Sequence, residues 1–268
     1  MSEPPPLDHQ PGRDRGESPP ALESEIVRPS LREPLLVFLA TIALAAALYW
    51  MGKAVPFVQR NLHAAIAILF FYAPVVAGRV TRKRFDFREA GLRLDPLRTN
   101  ALVLVAAVAL TFPLFVVGFF AFYARACDGA APAWLGLFCP GSLFAGWSKT
   151  HLRWPPDFAL LALNQVLVVA LPEEIFFRGY LLGRLEARWP PRHRLLGAPV
   201  GRALVGSAVL FALGHFLVDF NPQRLAVFFP GLVFAWMRAR TGSVAAGAAY
   251  HAACNLLSEL LHLSAFPR

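Results

Sequence analysis

The amino-acid sequence predicts an all-α protein, a polytopic transmembrane helical bundle of about seven spans with one short interfacial helix, and three observations carry that prediction. Of the 268 residues 56% are hydrophobic and only 16% charged, with a mean hydropathy of +0.49, a balance that would not keep a water-soluble domain of this length dispersed. The apolar residues fall in runs of about 20, the length that crosses roughly 30 Å of hydrocarbon as helix. The cations gather in short segments between alternate runs, where Lys and Arg set the orientation of spanning helices.

Residues 1–33 are rich in proline and charge (Pro4-Pro5-Pro6, Pro19-Pro20) and hold no apolar run, so they bury too little surface to fold and read as a disordered cytoplasmic tail. No short apolar core with a small-residue cleavage site follows the first Met, which argues against a signal peptide. The remainder, 34–268, reads as one transmembrane domain with spans near 34–52, 61–80, 99–124, 157–178, 202–219, 222–238 and 243–263. Asn221-Pro222 marks the break between the fifth and sixth. Between the second and third, the basic and amphipathic stretch from Arg82 to Leu94 suits a helix lying on the membrane surface.

Placing the N-terminus in the cytoplasm puts Arg13, Arg15, Arg28 and Arg32, the cluster from Arg79 to Arg98, the cluster from Arg184 to Arg202, and Arg238 with Arg240 on the inside. The outside keeps Lys53, Arg60, Arg125, Lys149, Arg153, Arg224 and Arg268. The net charge of +9 is therefore read as topology and not as a nucleic-acid surface. The three cysteines show no metal-ligand spacing; Cys254 reads as a helix packing residue. Cys127 and Cys139 share an outward loop, where they pair if that side is oxidising, a question the sequence leaves open.

An ionisable side chain inside a spanning helix costs several kcal/mol unless it meets a partner or a cavity, so each one asks for a role. Glu174 and Arg178 stand four apart on one helix face and can pair, whereas Glu173 points about 100° away and is left free as a candidate general base, just after the helix-disturbing Pro172. His215 follows Gly214 on the fifth span, where a missing side chain allows close approach. His251 and Asn255 share a face of the last span and are two donors for one oxyanion. Asn164, Gln165, Glu259 and His262 read as helix-end or helix-to-helix bonders outside the chemistry. Ser207 and Cys254 are poorly placed beside a histidine, which argues against covalent catalysis.

With Glu173-Glu174-x-x-x-Arg178, Phe211-x-x-x-His215 and His251-x-x-x-Asn255 in that order on successive helices, the sequence resembles the CPBP family of intramembrane proteases, also called the Abi or CAAX-protease family, over residues 155–260. The resemblance implies that Glu173 activates water with help from His215, that His251 and Asn255 steady the oxyanion, and that Glu174, Arg178 and Phe211 shape the site. It also implies a cavity opening toward the cytoplasm and a membrane-anchored protein or peptide substrate: a CAAX-like tail, a bacteriocin-like peptide or a C-terminal sorting signal. A bacterial inner membrane is the expected location. The reading favours glutamate catalysis without a cofactor; zinc held by Glu173, His215 and His251 is the alternative, although no His-Glu-x-x-His helix is present. A proton-coupled transporter or a non-proteolytic binding or immunity protein are the rival classes, and no repeated halves support the first.

Overall fold

The computed structural model describes residues 29–82, 84–140 and 144–266, so the tail read over 1–33 lies almost wholly outside the described residues. Helices stand at all seven predicted places: α1 (Arg32–Ala54), α2 (Pro56–Val80), α3 (Leu97–Ala126), α4 (Phe158–Arg188), α5 (Arg202–Asp219), α6 (Phe228–Thr241) and α7 (Ala245–Ala265). The first five are long and apolar enough to cross a membrane. The expected count of seven falls short at the last two for different reasons. The predicted sixth span begins as a 3-10 helix over Pro222–Val227, which leaves α6 only 14 residues, about 21 Å at 1.5 Å each. α7 has the length, with 21 residues, but its run is interrupted by His251, Asn255, Ser258, Glu259 and His262.

The expected interfacial helix does not form. Beyond Arg82 the chain runs through turns instead, with Asp86 Oδ1 accepting from the Arg88 and Glu89 N–H groups and Gly91 at φ +95°. The carbonyls that a helix needs are taken elsewhere: Val244 N–H donates to Gly91 O at 2.9 Å, Arg238 Nε to Ala90 O at 3.3 Å, and the Ser243 hydroxyl to Arg93 O. Phe87 meanwhile stacks on Phe71, and Phe85 meets Tyr180 edge-on. The stretch is thus a strap across the α6–α7 turn. A second feature absent from the sequence reading is the hairpin of β1 (His193–Leu195) and β2 (Ala198–Val200), closed by Leu196 and Gly197, both at positive φ as a two-residue turn requires.

The helix ends sort onto two faces. On one lie the N-terminus of α1, the strap, the hairpin and the α6–α7 turn, joined by Arg184 against Glu33 at 3.7 Å and by Trp236 Nε1 donating to Leu195 O. On the other lie the α1–α2 turn, the 3-10 helix and the 127–157 loop, which is tied to the end of α7 by Ala145 N–H to Ala265 O and Arg153 N–H to the Ser264 hydroxyl. Cys127 and Cys139 are disulfide-bonded on this second face, which answers the question of their pairing.

α4 positions the chemistry. Its winding widens to π-helical over Gln165–Ala170 and again over Ile175–Leu181, with an α-helical turn, Leu171–Glu174, between them. Pro172 has no N–H to give and its ring crowds the preceding turn, a cause for the first loosening. The half of α4 beyond Glu173 is sunk in the main core, where Phe176, Phe177, Tyr180 and Leu181 pack with Phe70, Phe211, Phe234 and Met237.

Candidate active site

α4, α5 and α7 bring their polar residues to one cavity of about 580 Å³, which α1, α2 and α6 help to enclose. Glu173, in the short turn between the π windings, reaches into it. Its Oε2 lies 3.7 Å from His215 Nε2 and 3.9 Å from His251 Nε2, too far for direct hydrogen bonds, and among the described residues this buried oxygen has no hydrogen-bond partner.

The far side of each imidazole fixes what its near side can do. His215 Nδ1 is 2.9 Å from Phe211 O, a carbonyl that only accepts, so the hydrogen sits on Nδ1 and the neutral ring shows a lone pair at Nε2. His251 Nδ1 is 3.3 Å from Glu174 Oε1, which gives the same tautomer by the same reasoning. Two nitrogen lone pairs and a carboxylate oxygen therefore face one another. Three acceptors in so small a space call for a group with hydrogens to give, of which water is the smallest.

Behind this trio is a second carboxylate, fully buried. Glu174 Oε1 accepts from Arg178 Nη1 at 2.9 Å as well as from His251, and Arg178 Nη2 donates to Gly231 O at 3.1 Å. The guanidinium lies 4.1 Å from the Phe211 ring centroid and 4.9 Å from that of Phe234, so the buried charge is met by aromatic faces as well as by Glu174. Phe234 in turn stacks on His251, with centroids 4.7 Å apart and planes at 18°. A Cβ at Gly231 would fall 3.2 Å from the Phe211 ring and 3.3 Å from Arg178 Nη2, so those side chains would have to give by a few tenths of an ångström.

The structure places Glu173, Glu174, Arg178, Phe211, His215 and His251 together. Asn255 lines the same cavity, one turn along from His251, and its Nδ2 donates to Gln165 Oε1 at 2.9 Å. Gln165 is a helix-to-helix bonder, as read, but to a site residue. Phe234 has no site role in the sequence reading; its signal is an aromatic on the helix facing two buried ionisable groups. Glu259 sits at the cavity rim, whereas His262 bonds Tyr123 and Asn164 faces a separate groove. Gly214 takes the Ile42 side chain of α1 against it. The Ser207 hydroxyl is spent on Phe177 O. Among the described residues no three His, Cys, Asp or Glu side chains converge as a metal-holding group, though Glu173, His215 and His251 supply donor types that zinc takes.

The opening of the cavity differs from expectation. Its floor is Phe177, Phe211, Phe234 and Phe70, all buried, and its exposed rim is His63, Arg224 and Glu259. Those rim residues belong to the face of the 3-10 helix and the disulfide loop. The expected opening onto the face of the basic clusters is therefore corrected: four phenylalanine rings and the core below them lie between the site and that face.

Residues 155–257 match the family model described as type II CAAX prenyl endopeptidase Rce1-like. No curated protein and no solved structure matches the chain.

Proposed function

From the premise that residues 155–257 form a segment of the Rce1-like type II CAAX prenyl endopeptidase family, in a multi-pass membrane protein, we propose that the chain is an intramembrane endopeptidase with Glu173 as its general base. The observation that carries this reading is the unpartnered, buried Glu173 Oε2 facing two imidazole lone pairs. A water held there gives a hydrogen to the carboxylate, and its oxygen is left to attack a peptide carbonyl. The arrangement suits a bond near the membrane-associated C-terminal region of a protein or peptide.

In the step we propose, Glu173 takes the proton as the water oxygen bonds to the carbonyl carbon, with His215 holding the water at Nε2. The oxyanion so formed is met by the second Nδ2 hydrogen of Asn255, the first being committed to Gln165. His251, once it carries a proton at Nε2 as well as the Nδ1 hydrogen that faces Glu174 Oε1, is the other donor. Collapse breaks the C–N bond, and the leaving amine takes the proton from Glu173. No step runs through a metal.

Cleavage of a membrane-protein or lipidated-peptide library by the purified protein in detergent tests the proposal. Glu173→Gln should lower turnover by about 10²- to 10⁴-fold while insertion and melting are retained. Turnover that survives a strong chelator supports direct glutamate catalysis; loss in chelator assigns Glu173, His215 and His251 to a metal instead. Full activity of Glu173→Gln would end the proposal.

A further inference from the structure

We infer that the cavity receives its substrate from the non-cytoplasmic side, so that the substrate class is an already translocated, membrane-anchored polypeptide cut within the outer part of the bilayer. The inference rests on the protease reading of the same site and adds a direction to it.

Two independent observations carry it. The first is the relation of the cavity to the charge of the chain. The exposed rim, His63, Arg224 and Glu259, lies near the start of α2, in the 3-10 helix after α5 and near the end of α7, remote from the basic segments. Those segments, Arg79 to Arg98, Arg184 to Arg202 and Arg238 with Arg240, all belong to the other face, and dense Lys and Arg mark the cytoplasmic side of a membrane. The rim face holds only scattered cations.

The second is the covalent chemistry of the rim face. The Cys127–Cys139 disulfide sits in the loop that follows α3, and hydrogen bonds from Ala145 and Arg153 lay that loop against the end of α7. A disulfide persists in an oxidising compartment and is reduced in the cytosol. Charge and redox chemistry thus give one answer from different residues.

Depth agrees with both. His251 lies about 12 Å below Glu259 along α7, eight residues at 1.5 Å each, and Phe177, Phe211 and Phe234 close the space beneath it. A tail made and held in the cytosol, as a prenylated C-terminus is, lies on the far side of that floor from Glu173. A polypeptide already carried across, with its anchor still in the membrane, reaches the site through the rim.

The test reads accessibility rather than turnover, so its failure is separate from failure of the protease proposal. In a Cys254→Ser background, which removes the one free thiol among the described residues, three single cysteines are introduced. Ser258→Cys lies on the cavity wall, Gln223→Cys beside the rim and His193→Cys on the hairpin of the opposite face. Intact cells are treated with a membrane-impermeant maleimide, and the same variants are labelled in detergent as a reference. The expected result is labelling of Ser258→Cys and Gln223→Cys in intact cells and of His193→Cys only after permeabilisation. The reverse pattern overturns the inference, as does a Ser258→Cys that reacts in detergent but stays silent in intact cells.

Discussion

The Asn255 side-chain nitrogen donates to the Gln165 side-chain oxygen at 2.9 Å across the seam between α4 and α7, so an amide of the candidate site is aimed by an amide one helix away. Only one of the two Asn255 hydrogens is used in this way.

If that bond positions Asn255, Gln165→Leu lowers kcat by about tenfold, the loss of roughly one hydrogen bond in the transition state, and leaves KM nearly unchanged. Asn255→Ala costs more. The double variant is no slower than Asn255→Ala alone, because the two residues act as one unit. Steady-state kinetics of the three variants decide; additive losses would show that Gln165 acts independently.

Arg178→Met strands the Glu174 carboxylate in the core, where both side chains have no exposure. Removing one partner of such a pair destabilises by about 3–5 kcal/mol, whereas replacing both with neutral groups of similar size recovers much of it. Thermal unfolding in detergent should therefore rank the wild type first, Glu174→Gln with Arg178→Met second and Arg178→Met last.

Two glycines with opposite surroundings give a matched comparison. A Cβ at Gly231 meets the Phe211 ring and the guanidinium, and Gly231→Ala is expected to destabilise by about 1–3 kcal/mol through overpacking. At Gly118, in α3, a Cβ meets nothing within 4 Å. Gly118→Ala should be neutral or stabilising by up to about 1 kcal/mol, by helix propensity alone. Melting curves of both variants, recorded together, check the contrast.

The Cys127–Cys139 bond closes a short loop beside the cluster of Phe119, Tyr123, Phe144 and Phe266. Reductant should lower the melting temperature of the wild type, by the equivalent of about 2–4 kcal/mol if the ends of α3 and α7 unfold with the rest. Cys127→Ser with Cys139→Ser starts from the lower value and is insensitive to reductant. Scans with and without reductant on the two proteins read this directly.

Much of the site was legible because helices convert spacing into direction. Four residues from Glu174 to Arg178 meant one face, one residue from Glu173 to Glu174 meant another, and both relations hold in the fold. That Gln165 bonds between helices was legible, but not to which residue, because its partner is 90 residues away, a separation about which helical period is silent. The interfacial helix was misread for a related reason: amphipathic spacing from Arg82 to Leu94 is real, yet its carbonyls are claimed by Arg238, Ser243 and Val244, which only tertiary structure brings there. The direction of the cavity was legible only in part. The cation pattern told the two faces apart, but which face is sealed depends on where Phe70, Phe177, Phe211 and Phe234 meet, and they come from four different helices.

The widened winding over Gln165–Ala170 sets the relative bearing of the residues on either side of it in α4. A π turn takes up one residue more than an α turn, so the segment carries a surplus residue that no ordinary helix needs. Deleting one of Val166 to Val169 lets the helix rewind regularly, with better backbone geometry and an unbroken apolar surface. The shortened helix keeps Gln165 and Glu173 on nearly the same relative bearing, because the wide turn holds the surplus residue within one revolution. A full-length α4 wound regularly would instead set Gln165 and Glu173 about 80° apart, eight residues at about 100° each against two full turns.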